Sequence, residues 1–168
     1  VDLPVHDKLE RIRQSGRPLI GVSLRPPVGK SRSTTQFCLT NREAGPDLMV
    51  RVARHLIREL NAHVVFFSMH PDQDDVLGHR FLSQVGLPEH VSFVPGECSP
   101  MDMMALVGLT DYFIGMRLHS LIFAARSSVP MVALAYDPKV FGFMQLLQQE
   151  DYALAPLEWQ DTSVIALL

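Results

Sequence analysis

Short, nearly unbroken apolar runs alternate along this chain with stretches whose apolar positions recur every three or four residues. "PLIGVSL" at 18–24 is one such run, closed by Arg-Pro-Pro. From about Pro46, Leu48, Met49, Val52, Leu56, Ile57 and Leu60 follow helical spacing, with Arg51, Arg54, Arg58 and Glu59 between them. "HVVFFSM" at 63–69 predicts a second strand. Asp72, Asp74 and Asp75 then open a helix that fades at Gly86. "VSFVPG" predicts a third strand, followed by a short helix over 100–109. "DYFIGM" predicts the fourth, with a helix running to about Arg126. "PMVALAY" predicts the fifth, and Asp137-Pro138 starts a helix ending near Gln149. "YALA" is a short sixth strand, and the closing "TSVIALL" reads as a helix cut short.

These strands are continuous apolar runs rather than alternating ones. Such runs imply burial on both faces, hence an α/β fold: a Rossmann-like parallel sheet sandwiched by helices. Residues 25–43, "RPPVGKSRSTTQFCLTNRE", break the rhythm with a long polar, basic segment. Loops of that length inside compact domains are usually functional or disordered.

Composition narrows the function classes. The chain has 168 residues, 47% of them apolar, enough for one domain with a full-sized core. Net charge is -3 with Lys and Arg scattered, so there is no basic stripe for nucleic acid. No apolar run reaches the roughly 20 residues of a membrane span. Cys38 and Cys98 form no CxxC pair, which points to free thiols in a reducing, cytoplasmic setting. Metal signals are weak: the histidines form no HExxH pair, and the acids of "DQDD" suit a helix start through its dipole alone. "VGKS" at 28–31 lacks the glycine that a phosphate loop places five positions before the glycine of Gly-Lys, where this chain has Leu24.

The informative stretch is "DYFIGMRLHSLIFAA" at 111–125, where Arg117 and His119 interrupt two apolar runs at a strand–helix seam. If the strand order is 3-2-1-4-5-6, the chain reverses across the sheet between strands one and four, and a crevice opens at their carboxyl ends. Arg25 would follow strand one. Arg117 and His119 would follow strand four, Asp137 and Lys139 strand five, and His70 strand two, one place further out. Two guanidiniums and the start of a helix suit an anionic ligand. His119 would supply a proton donor or acceptor near neutral pH. Blander readings stand beside each: a surface arginine at 117, a core histidine at 119, a loop ion pair for Arg25, an ordinary exposed Lys139, a turn residue at His70.

"IGMRLHSLIFAARSSVPMVALAYDPKV" at 114–140, together with "GVSLRP" at 21–26, resembles the C-terminal half of the polysaccharide pyruvyl transferase family, its bacterial cell-wall members above all. The likeness is specific over 115–119 and 136–139 and looser elsewhere. It implies one half of a GT-B-like architecture. Residues 1–17 would then be a linker or short helix from a missing N-terminal half, and 18–168 the Rossmann-like donor-binding domain. It further implies phosphoenolpyruvate as donor substrate, with no cofactor and no metal, and transfer of pyruvate as a ketal to a cell-wall or surface glycan. Carried over by motif, Arg25 and Arg117 would bind the donor, Leu118 would contribute its backbone or packing, and His119 would be the acid or base; Lys139 could shield the leaving phosphate. The partners implied are phosphoenolpyruvate, a glycan or lipid-linked sugar acceptor and the N-terminal domain of the same protein. The location implied is the cytoplasm, including the inner face of the membrane. The runner-up is a GT-B glycosyltransferase domain binding a nucleotide sugar, with Asp137 on the ribose.

Overall fold

The computed structural model describes residues 4–26 and 44–168, the side chain of Ala44 excepted. The "VGKS" stretch, Cys38 and most of the long polar segment lie outside the described residues. Six strands, β1 (Leu19–Ser23), β2 (His63–Phe67), β3 (Val91–Val94), β4 (Tyr112–Gly115), β5 (Met131–Leu134) and β6 (Ala153–Leu154), form one sheet. Its order is β3-β2-β1-β4-β5-β6 and every pairing is parallel, as the continuous apolar runs predict.

Alternate residues of each strand feed two separate apolar layers. Ile20, Val22, Val64, Phe66, Ile114, Val132 and Leu134 face one of them. That layer is completed by α2 (Ala44–Leu60), α3 (Pro71–Val85) and α7 (Asp161–Ala166). Leu19, Val65, Phe67, Phe113, Met131 and Ala133 face the other, under α1 (Pro4–Gln14), α4 (Pro100–Val107), α5 (Leu118–Arg126) and α6 (Pro138–Leu146). Helix α1 lays the fully buried Leu9 into this second layer. Asp111 ties the two central strands together at their amino ends. Its backbone N–H donates to the Leu19 carbonyl and its Oδ2 accepts the Leu19 N–H, both at 2.8 Å.

Helix ends differ from the sequence reading by two or three residues. Helix α4 stops at Val107 rather than Leu109, with Gly108 as its C-cap. Helix α6 stops at Leu146 rather than near Gln149, because the chain turns through a left-handed Gln148 (φ 57) into a 3-10 turn over Glu150–Tyr152.

One buried ionisable group sits at the amino edge. His63, fully buried, shares a 2.8 Å hydrogen bond between Nε2 and Ser92 Oγ. Burial, then the charges of Lys8, Arg17 and His90, lower its pKa to about 4. The unfolded chain, with an ordinary imidazole near 6.5, therefore binds the proton first on acidification. Stability from the neutral form is complete above about pH 6.5 and is lost as pH falls toward 4. Urea unfolding at pH 7 and pH 4.5 should show a loss of roughly 2–3 kcal/mol that a His63→Gln variant lacks. Equal pH dependence in both proteins would contradict this.

Candidate functional site

The parallel ladders bring the seam residues together. Ser23 stands opposite Gly115, and Gly115 opposite Ala133. The Met116 N–H donates to the Ser23 carbonyl at 2.8 Å, extending the β1–β4 pairing one residue further. Arg25 and Arg117 each lie two residues beyond the Ser23–Gly115 pair. Both therefore leave the sheet at its carboxyl edge from neighbouring strands, at the point where the strand order reverses.

Gly115 has a steric reason to be glycine. A Cβ there would stand 2.7 Å from Leu121 Cδ2 and 3.1 Å from Ser120 Oγ, so its absence lets the first turn of α5 close down on the end of β4. That turn is fastened under Arg117. The Ser120 hydroxyl donates to the Arg117 carbonyl at 2.7 Å, and the Ser120 and Leu121 N–H groups donate to it at 3.1 and 3.3 Å. The N–H groups of Leu118 and His119 lie in the first turn, where a helix offers no acceptor of its own. Arg117 is the N-cap and its side chain does not cap the helix.

The Arg117 side chain instead reaches the start of α3. Nε donates to Asp74 Oδ2 at 3.0 Å, while Nη2 donates to Asp74 Oδ1 and, at 3.2 Å, to Gln73 Oε1. Asp74 is fully buried and its Oδ2 also accepts the Met69 N–H at 3.2 Å. A cation at a helix start is disfavoured by the dipole; the two-point carboxylate compensates it. Among the described residues no acceptor takes the Nη1 group of Arg117.

Arg25 meets a different partner. Its Nη1 donates to the Tyr136 hydroxyl at 2.9 Å, and its guanidinium carbon lies 5.1 Å from the centre of the Tyr136 ring. Tyr136 follows β5, so this contact spans the ends of β1 and β5 across the end of β4.

The other predicted residues occupy the same rim in lesser ways. His119 is exposed in the first turn of α5, and Leu118 packs partly buried on the second apolar layer. Asp137 caps α6, its Oδ1 accepting the Lys139 N–H at 3.0 Å, with the Lys139 ammonium 4.0 Å from Oδ2. His70 is exposed at the N-cap of α3 and makes no side-chain cap. Burial, then Asp102, Asp75 and Glu97, push the Cys98 thiol above its ordinary value, which leaves it a poor nucleophile.

Two residues of this arrangement escape the sequence reading. Asp74 is one of three acids that suit a helix dipole, yet it falls in register with Leu77, Phe81 and Val85, the buried stripe of α3. A carboxylate on an apolar stripe is the signal that a buried cation must meet it. Tyr136 reads as the last apolar residue of a strand, and nothing in its spacing points to Arg25.

Comparison with known proteins bears on the family and the fold. The family model described as polysaccharide pyruvyl transferase matches residues 12–138. Among solved structures, the chain is similar to the ADP-heptose lipopolysaccharide heptosyltransferase II of E. coli, at TM-score 0.63 and 17% identity. It is also similar to a family 9 glycosyl transferase of Veillonella parvula, at TM-score 0.56 and 14% identity. In both cases 99% of this chain is covered against 51% of the other, so the chain spans about half the length of these GT-B-type glycosyltransferases. At such identity the likeness is one of fold.

Removing one member of a buried ion pair strands the other. Asp74→Ala should lower unfolding free energy by about 3 kcal/mol in urea titrations. A loss below about 1 kcal/mol, the usual ceiling for an exposed pair, would show that the Arg117 contact is only a surface one.

Proposed function

The chain belongs to the polysaccharide pyruvyl transferase family, and from that premise we propose that its carboxyl edge binds phosphoenolpyruvate for transfer of pyruvate, as a ketal, to a glycan sugar. The observation that carries this reading is the convergence of Arg25, Arg117 and the start of α5 on the ends of adjacent strands β1 and β4. Phosphoenolpyruvate is a small anion bearing both a phosphate and a carboxylate. Guanidinium donors and the first-turn N–H groups of a helix suit both.

The chemistry asked of the site is modest. A proton adds to the methylene carbon of the enol phosphate, and the adjacent carbon acquires oxocarbenium character. A sugar hydroxyl attacks that carbon and gives up its own proton. Phosphate leaves with its bonding electron pair, and a second hydroxyl of the sugar attacks the same carbon and loses its proton to the departed phosphate, closing the ketal. His119, exposed beside the first turn of α5, either delivers the proton to carbon or takes it from the attacking hydroxyl. Arg25 and the α5 N–H groups stabilise the donor's anionic oxygens, and Lys139, at the start of α6 after β5, would shield the departing phosphate. The acceptor and the remaining half of the enzyme complete the site. The chain holds no helix, among the described residues, long and apolar enough to cross a membrane. We place the reaction at the cytoplasmic side, where a lipid-linked acceptor would be reached from solution.

Calorimetric titration separates this reading from the nucleotide-sugar one. Phosphoenolpyruvate should bind saturably, and Arg25→Ala should weaken it roughly tenfold or more, as loss of charge-assisted hydrogen bonds does. In the whole enzyme, His119→Ala should leave phosphoenolpyruvate binding in place while lowering transfer roughly a hundredfold or more. Tight binding of a UDP-sugar with no response to phosphoenolpyruvate would overturn the proposal in favour of a glycosyltransferase donor domain.

A further inference from the structure

The two arginines at the carboxyl edge are held from opposite sides of their guanidinium groups. Asp74 takes Nε and Nη2 of Arg117, which is the side edge of the fork, and leaves Nη1. Tyr136 takes Nη1 of Arg25 and leaves the side edge, Nε with Nη2, without an acceptor among the described residues. We propose that Tyr136 is a positioning residue: it fixes Arg25 so that its Nε–Nη2 edge is the bidentate receiver of a donor oxyanion, while Arg117 adds a single donor. This rests on the reading that the edge takes phosphoenolpyruvate.

Charge separates the two clamps as clearly as geometry does. Asp74 orients Arg117 with a full negative charge, so the pair offers little net attraction to an anion. The Tyr136 phenol is neutral. It orients Arg25 through one hydrogen bond and the face of its ring without cancelling the guanidinium's charge. The anion-attracting charge at the reversal point therefore resides mainly on Arg25.

Tyr136 is itself well anchored. Its backbone N–H donates to the Leu134 carbonyl at 2.9 Å, and the next residue, Asp137, caps α6. Its ring is partly buried against both apolar layers. A guanidinium tied to such a residue loses less freedom when an oxyanion arrives, and affinity rises through that smaller ordering cost. The end of β5 thus organises a side chain that β1 delivers.

A double-mutant cycle, with a ligand-free control, tests this. Phosphoenolpyruvate affinity is measured for the wild type, Tyr136→Phe, Arg25→Lys and the double variant, with thermal unfolding to confirm that each folds. Tyr136→Phe should weaken binding roughly threefold to tenfold, and the same change made on Arg25→Lys should cost nothing further. In the whole enzyme that loss should appear in KM for the donor, with kcat kept. Nitrogen-15 NMR of the free protein should show the Arg25 Nε–H resonance shifted by Tyr136→Phe. An Arg25 resonance that does not move, or an equal loss of affinity in the Arg25→Lys background, overturns the positioning role. An Arg25 resonance shifted by Tyr136→Phe, where the wild type has no affinity for phosphoenolpyruvate, upholds the clamp and overturns the reading of the site.

Discussion

The parallel pairing of β1 with β4 is the constraint on which everything at this edge depends. In a singly wound order these strands would lie apart and their following residues would face different neighbours. Because the order is β3-β2-β1-β4-β5-β6, Ser23 and Gly115 stand side by side, and the two arginines that follow them emerge together. Gly115 then lets α5 begin hard against the strand, which sets at the same place two first-turn N–H groups that find no acceptor among the described residues. A cationic rim at the reversal point follows from register and sterics, before any ligand is considered.

A rim of like charges is unstable unless each charge is answered. The structure answers them differently. Arg117, mostly enclosed, meets a fully buried carboxylate in two-point contact, with Gln73 alongside. Arg25 meets a phenol. The first solution gives rigidity at the expense of net charge, and the second preserves charge with a weaker tether. One site then contains a neutralised arginine that braces the start of α5 and a charged arginine available to an anion. Under the proposed function that anion is phosphoenolpyruvate.

The parallel sense and all six strands were legible in the sequence, because continuous apolar runs imply burial on both faces and helical spacing separates them cleanly; the order of the strands entered as an assumed topology, which the structure matches. Helix ends were less so. Gln148 in the left-handed region ends α6 where no glycine or proline announces it. The emergence of Arg25 and Arg117 at one edge could be deduced from topology. What could not be deduced was the state of their side chains. In the sequence Arg117 reads as a planar fork for the ligand, whereas Asp74 fills that fork. The clue lies in the helical register of Asp74 with Leu77 and Phe81, but a dipole explains Asp72, Asp74 and Asp75 equally well and hides it. Tyr136 illustrates a harder limit: contact between residues 111 positions apart depends on where two loops fold over, and no periodicity encodes that.

The most direct measurement is a crystal structure of the chain soaked with phosphoenolpyruvate. The expected result is an oxyanion of the ligand on the Nε–Nη2 edge of Arg25, its other end at the N–H groups of Leu118 and His119, with Arg117 still on Asp74 and Arg25 still on Tyr136. Ligand bound away from the β1–β4 edge, or bound there only after Arg117 has left Asp74 to become the fork, would contradict it.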